Sequence, residues 1–402
     1  MNELGKRLGA AVCFVGTVTL VGCSSDSKTC GRDCPLPLVD GGSADDGGGG
    51  AKTPGFSASA VAELTAAHVD KYVGKASLSN TMTNPDGDTV YNFDPKDGPV
   101  CYLGDPYDVV VHDAGSDNLL IFLQGGGACW STLCSATSTA QTAVLKTGIL
   151  NEDPSTNVVG GWNIVYAPYC DGSVFSGDND TTAPDGTTAW HFHGLANLTA
   201  AIDVAKKNFP NPKRILLAGT SGGGYGTLIG TGVTRLAYPH TQIDVFNDAG
   251  LGLSNPNDPS MLATIKADWK FEQFIPKSCT ECQTGEQTAV IGWGLGADPT
   301  LHVSGFSSYG DGVIGGVFLK LPPAEFKPLL LSETGKVHDA YPTRFERFFI
   351  NGTQHTVLLS ALGNVGFDTP VDGISVNDFT KAMLDASPTW TDHLQADTDG
   401  GS

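Results

Sequence analysis

Charge is scarce in this chain, and positive charge is scarcest. Charged side chains make up 16% of the 402 residues, with 23 Lys and Arg against 43 Asp and Glu, a formal net charge of −20. A surface with that balance repels phosphate backbones, which argues against nucleic acid as a partner and disfavours a densely anionic polymer as substrate. No apolar run reaches the roughly 20 residues that a helix needs to cross a bilayer; the stretch Leu8 to Val21 is shorter. There is no internal repeat. Cys279-Thr-Glu-Cys282 has no second cysteine pair of matching spacing, so a zinc reading of it is disfavoured. What is abundant is apolar character, at 40% of residues, and glycine, at 52. That is the composition of a loop-rich globular protein.

The N-terminus reads as a processing signal. Lys6 and Arg7 precede the apolar run, which ends in Leu20-Val21-Gly22-Cys23 before Ser24-Ser25-Asp26-Ser27. A run this short with basic residues before it points to a cleaved signal peptide over residues 1–22. Small residues before a cysteine resemble a bacterial lipobox, in which Cys23 is acylated and becomes the mature N-terminus. The expectation is export, with the protein lipid-anchored at the cell envelope, at the outer membrane, or else secreted. Residues 23–55 include Gly41-Gly42-Ser43-Ala44-Asp45-Asp46-Gly47 and have no apolar periodicity, which predicts a flexible linker. Residues 56–402 then form one catalytic domain, expected to act as a monomer.

Export makes the cysteines readable as disulfides. With Cys13 and Cys23 in the signal region, eight remain. Short spacings favour Cys30–Cys34, Cys129–Cys134 and Cys279–Cys282, which leaves Cys101–Cys170 as the long-range bridge.

Short apolar runs bounded by turns predict strands at Val109 to Val111, Leu119 to Leu123, Trp162 to Tyr166, Ile215 to Ala218, Ile243 to Phe246, Leu301 to Phe306 and, closing the series, Arg344 to Ile350. Helical patterns fall at Gly194 to Phe209 and Tyr225 to Tyr238. Such alternation predicts an α/β fold, a mostly parallel sheet with helices on both faces.

The strongest chemical signal is Ile215-Leu216-Leu217-Ala218-Gly219-Thr220-Ser221-Gly222-Gly223-Gly224, a strand running through Gly-x-Ser-x-Gly into a helix. This pattern predicts a strained strand-to-helix turn of the α/β-hydrolase kind, with Ser221 as the expected nucleophile. A second signal, Leu119-Leu120-Ile121-Phe122-Leu123-Gln124-Gly125-Gly126-Gly127-Ala128-Cys129, places a glycine run after an early strand. No Gly-Lys-Ser/Thr follows it, so a P-loop is discarded. Backbone N–H groups of Gly126, Gly127 and Gly222 are the expected donors to an oxyanion. A serine nucleophile needs a histidine base and an orienting acid, in the chain order Ser, acid, His. Of His240, His302, His338, His355 and His393, His355 fits best. It follows the last predicted strand through Asn351-Gly352-Thr353-Gln354 and precedes Thr356 to Leu359, expected to start the last helix. Asp311, in the loop after Leu301 to Phe306, is the favoured acid, and Asp248 in Asn247-Asp248-Ala249-Gly250 is the alternative. His191-Phe192-His193 shows no third metal ligand and reads as structural. Asp178-Asn179-Asp180 lacks the spacing of a calcium loop and reads as a turn.

These pieces resemble the pectin acetylesterase family, which includes the Notum carboxylesterases. The likeness rests on Gly-Gly-Gly-Ala-Cys ending at Cys129, on Cys134, on Tyr169-Cys170-Asp171-Gly172-Ser173, and on Gly-Thr-Ser-Gly-Gly-Gly. It runs from about Cys101 to His355. Ala128 stands where the family usually has tryptophan, and Gly222 where it has alanine. The resemblance implies an α/β-hydrolase core, a Ser-Asp-His triad, the pairings Cys129–Cys134 and Cys101–Cys170, and no metal or other cofactor. It also implies a serine carboxylesterase acting on an acyl ester, with an O-acetyl or other short acyl group on a glycan or similar substrate expected. The alternatives are a non-catalytic binding protein on the same scaffold and a serine peptidase.

Overall fold

The computed structural model describes residues 53–359 and 365–396. The expected signal peptide, lipid-bearing Cys23, the linker up to residue 52 and the Cys30–Cys34 bridge lie outside the described residues.

The strands are β1 (Leu78–Thr83), β2 (Thr89–Phe93), β3 (Asp108–His112), β4 (Asn118–Leu123), β5 (Gly127–Trp130), β6 (Leu133–Ala136), β7 (Asn163–Ala167), β8 (Asn179–Thr182), β9 (Ala189–Phe192), β10 (Arg214–Thr220), β11 (Gln242–Asp248), β12 (His302–Ser308), β13 (Phe345–Ile350) and β14 (His393–Leu394). The helices are α1 (Ala58–Ala66), α2 (Gly194–Asn208), α3 (Gly222–Ala237), α4 (Pro259–Trp269), α5 (Thr280–Thr284), α6 (Ala289–Ala297), α7 (Pro323–Ala340) and α8 (Val376–Leu384). Ten strands form one sheet in the order β1-β2-β3-β7-β4-β10-β11-β12-β13-β14. From β7 to β14 every neighbouring pair is parallel, while β1, β2 and β3 extend the sheet antiparallel.

The central strands read as unbroken apolar runs because both of their faces are covered. Along β4, Leu119, Ile121 and Leu123 enter one core, and Leu120 and Phe122 enter the other. In β10 the split is Ile215 and Leu217 against Leu216 and Ala218. The first core is closed by α1, α2, α3, α6 and α7, the second by α8 through Val376, Phe379 and Met383. The chain therefore has the expected α/β architecture, consistent with an α/β-hydrolase-like fold.

All seven strands expected from the sequence are present, and two expectations at the C-terminal end need correction. β13 does not close the sheet. β14 pairs in parallel beside it, with His393 opposite Phe348, so the polar tail contributes an edge strand too short to carry an apolar pattern. Thr356 to Leu359 does not start a helix: Val357 and Leu358 are buried in extended and turn conformation, and α8 begins only at Val376. The hairpins β5–β6 and β8–β9, whose strands are four residues each, and the pair β1–β2 also lie beyond the sequence reading.

Three disulfides are present among the described residues: Cys101–Cys170, Cys129–Cys134 and Cys279–Cys282. The first ties the segment after β2 to the loop after β7, across 69 residues of sequence. Removing a link over so long a loop frees the unfolded chain more than the folded one. Replacing Cys101 and Cys170 together by serine should therefore cost roughly 2–5 kcal/mol, read from a denaturation midpoint. A loss well under about 1 kcal/mol would mean that other contacts already hold the loop.

Candidate active site

The loops at the carboxyl ends of five parallel strands converge on one place, where open α/β sheets put their ligands. Gln124 to Gly127 follow β4, Ser221 follows β10, Asp248 ends β11, Asp311 follows β12 and His355 follows β13.

Ser221 occupies a sharp turn between β10 and α3 with φ 54° and ψ −118°, a region that non-glycine residues enter at a cost. Space explains the flanking glycines. A Cβ on Gly219 would overlap the Gly223 carbonyl, and one on Gly223 would overlap the Leu123 carbonyl. The Ser221 N–H donates to the Asp248 carbonyl at 2.7 Å, which pins the turn to the neighbouring strand.

The side chains of Ser221, His355 and Asp311 form a continuous chain of hydrogen bonds. His355 Nδ1 lies 2.9 Å from Asp311 Oδ2 and 3.1 Å from Oδ1, and His355 Nε2 lies 2.7 Å from Ser221 Oγ. A carboxylate only accepts, so Nδ1 carries the proton and Nε2 presents a lone pair to the serine hydroxyl. Asp311 is 1% exposed and also accepts from the Val313 and Ile314 N–H groups at 2.8 and 2.9 Å. Those donors open a π-helical stretch, Gly312–Phe318, that Asp311 caps. The loops bearing Asp311 and His355 are joined by their backbones: Tyr309 N–H donates to Ile350 O, Gly310 to Gly352 O and Gly312 to Thr353 O.

Asp248 lies behind this chain. Its carboxylate accepts from the Val357 and Leu358 N–H groups at 3.0 and 2.9 Å, so it grips the backbone just past His355 while Asp311 takes the ring. The other histidines are elsewhere. His302 meets Asp244, His338 meets the Phe345 carbonyl, His393 stacks on Phe348, and His240 is exposed.

The glycine loop after β4 lies against the turn at Ser221. Gly125 N–H donates to Thr220 Oγ1 at 3.2 Å. A Cβ on Gly222 would fall 3.1 Å from the Gly127 carbonyl oxygen, and one on Gly126 would run into the Tyr169 ring. Gly222 opens α3, where helical N–H groups lack intrahelical partners and the helix dipole favours negative charge. Tyr169 donates its N–H to Gln124 Oε1 at 3.0 Å.

Two features of the site went unread in the sequence. Asp171, in the Tyr-Cys-Asp-Gly segment, is fully buried and accepts from Ser173 N–H, Ser173 Oγ and Phe175 N–H. It thereby holds a turn in which Val174 and Phe175 both have positive φ; the motif was visible, but not the carboxylate's task. The other is a cavity of about 180 Å³ lined by Ser221 and Gly222, with walls that include Trp130, Tyr225, Leu228, Met261, Phe271 and Phe318. Those residues come from separate segments, and only folding assembles them.

Burial pushes the Asp248 carboxyl up to about 7 from its ordinary 3.8, against the pull of the Leu358 and Val357 N–H groups. The folded chain thus holds a proton there that the unfolded chain has released, and between these two pH values Asp248 makes stability fall as pH rises. Asp248→Asn removes that slope. Relative to wild type, the variant's unfolding free energy should improve from about pH 4 to about pH 7. A difference that stays constant across that window, in denaturant titrations of both proteins, would refute the assignment.

A family model described as Pectinacetylesterase matches residues 91–288, which includes Ser221 and ends before Asp311 and His355. The palmitoleoyl-protein carboxylesterase notum1′ of Xenopus laevis is 30% identical over 216 residues, covering 48% of this chain and 40% of that protein. Pectin acetylesterase 4 of Arabidopsis thaliana is 34% identical over 128 residues, covering 29% and 31%. Palmitoleoyl-protein carboxylesterase NOTUM of Homo sapiens is 28% identical over 176 residues, covering 39% and 34%. The chain thus spans less than half the length of each of these relatives. These matches make the chain similar, at moderate identity, to the pectin acetylesterases and Notum carboxylesterases.

Proposed function

We propose that the protein is a serine carboxylesterase. The observation that carries this reading is the hydrogen-bond chain Ser221 Oγ, His355, Asp311, whose serine lines the cavity. Ser221 Oγ attacks the ester carbonyl carbon while His355 Nε2 takes its proton, and Asp311 holds the ring in the needed tautomer and stabilises the imidazolium. The carbonyl oxygen becomes an oxyanion facing the N–H groups of Gly126, Gly127 and Gly222, each worth roughly 3 kcal/mol in such sites. Collapse breaks the bond to the alcohol, which leaves with the proton from His355. Water then attacks the acyl-serine with His355 as base, releasing the acid and restoring Ser221.

The sequence points to an acetyl or other short acyl group. The apolar walls beside Ser221 favour a longer one, because a single methyl would leave most of that surface without a partner. Nothing in the proposed mechanism uses a metal or cofactor.

Ser221→Ala should abolish labelling by a fluorophosphonate and nearly all ester turnover, and His355→Ala should lose almost as much, since such groups act as a unit. Asp311→Asn should lower kcat by roughly 10⁴-fold, the scale of an orienting Asp, with Asp248→Asn far milder. Full activity in Ser221→Ala would end the esterase reading. A larger loss in Asp248→Asn than in Asp311→Asn would reassign the acid.

A p-nitrophenyl ester series tests the acyl group. Burial of each methylene contributes about 0.8 kcal/mol, so kcat/KM should rise roughly fourfold per added carbon until the cavity is full. A maximum at acetate would return the substrate to the short-acyl class.

A further inference from the structure

His191-Phe192-His193, set aside in the sequence for want of a third ligand, gains one in the fold. β8 and β9 pair so that Asp180 stands directly opposite His191; Asn179 and Asp180 lie in strand β8, not in the turn expected for Asp178-Asn179-Asp180. His193 follows β9 and precedes α2. Asp180 Oδ1 lies 2.7 Å from His191 Nδ1 and 2.9 Å from His193 Nε2. Potential ligand atoms of the three side chains all fall within 4.8 Å of one another.

The decisive contact is on the far side of His193. Its Nδ1 lies 2.6 Å from the Gly98 carbonyl, and a carbonyl can only accept, so Nδ1 carries a proton. In a neutral ring Nε2 is then a bare lone pair, aimed at a carboxylate oxygen that is also only an acceptor. Something positive must stand between them: a second proton on the ring, or a cation. An imidazole whose outer nitrogen donates to a backbone carbonyl while its inner one faces a carboxylate and a second imidazole has the arrangement of a metal ligand with its supporting partner.

We infer that Asp180, His191 and His193 form a binding site for a divalent transition metal of the zinc class. Two imidazoles and one carboxylate suit zinc, with water completing a tetrahedron. At metal–ligand distances of about 2.0–2.1 Å the ligand atoms must separate by roughly half an ångström more than they do here. The side chains can make that adjustment, being 66%, 33% and 18% exposed for Asp180, His191 and His193. The ligand chemistry is therefore set by geometry at the surface and is independent of the esterase reading. A bound ion would clamp the β8–β9 hairpin to the segment around Gly98. That hairpin presents Trp190 and Phe192 to the cluster containing Cys129, Trp130 and Trp269, so the ion would brace one wall of the cavity from behind.

The test uses the full mature chain without a histidine tag, stripped with a chelator and titrated with zinc chloride by calorimetry. One zinc per chain should bind with a dissociation constant in the micromolar range or tighter. Asp180→Asn and His191→Gln should each weaken it at least tenfold, while the exposed His240→Gln should not. Zinc should also raise Tm in wild type and lose that effect in both variants. Absence of zinc binding, or binding indifferent to both substitutions, would overturn the proposal and leave a protonated imidazole facing a carboxylate. Ester turnover plays no part in either readout, so the two readings stand or fall separately.

Discussion

The turn at Ser221 is the constraint on which the rest of the site depends. A serine at φ 54° is strained, and the strain persists only because its surroundings leave no alternative. Below the turn the carbonyls of Gly223 and Leu123 exclude any side chain at positions 219 and 223. On one flank the Asp248 carbonyl holds the serine N–H; on the other, Thr220 Oγ1 receives the Gly125 N–H. The hydroxyl is thereby lifted off the sheet edge toward His355, at the start of a helix whose dipole favours negative charge.

Two buried aspartates beside one histidine divide the work by what each touches. Asp311 has three donors converging on it, two backbone N–H groups and the imidazole. Asp248 is met by backbone alone on its carboxylate, from Val357 and Leu358, while its own carbonyl holds Ser221. It thus connects the turn at Ser221 to the loop bearing His355 without touching the imidazole-to-serine hydrogen bond. Burial raises its carboxyl pKa toward neutral pH.

Around this centre the additions to the sheet act as supports. Cys101–Cys170 anchors the loop in which Asp171 shapes the Val174–Phe175 turn. Cys129–Cys134 closes the β5–β6 hairpin, and Trp269 donates its indole N–H to the Cys129 carbonyl at 2.7 Å. Aromatic edges from several segments thereby become a continuous apolar wall beside Ser221.

The parallel core was legible because its strands are buried on both faces, so Leu119 to Leu123 and Ile215 to Ala218 are unbroken apolar runs. The turn at Ser221 was legible because its steric demand can be met only by glycines at fixed spacing. The sequence alone singled out Ser221, His355 and a short choice between two acids as candidates, and these are the side chains that the fold brings within hydrogen-bond reach of one another or, for Asp248, of the backbone beside them. Polar, short or edge elements carry no such signature, which is why β14, the hairpins and the non-helical segment after His355 were not foreseen. The pairing of Asp180 with two histidines depends on hairpin register, the division of labour between Asp311 and Asp248 on which loop zips to which, and the cavity on side chains far apart in sequence. Those were decided only by tertiary structure, because each is a distance between residues that no local pattern links.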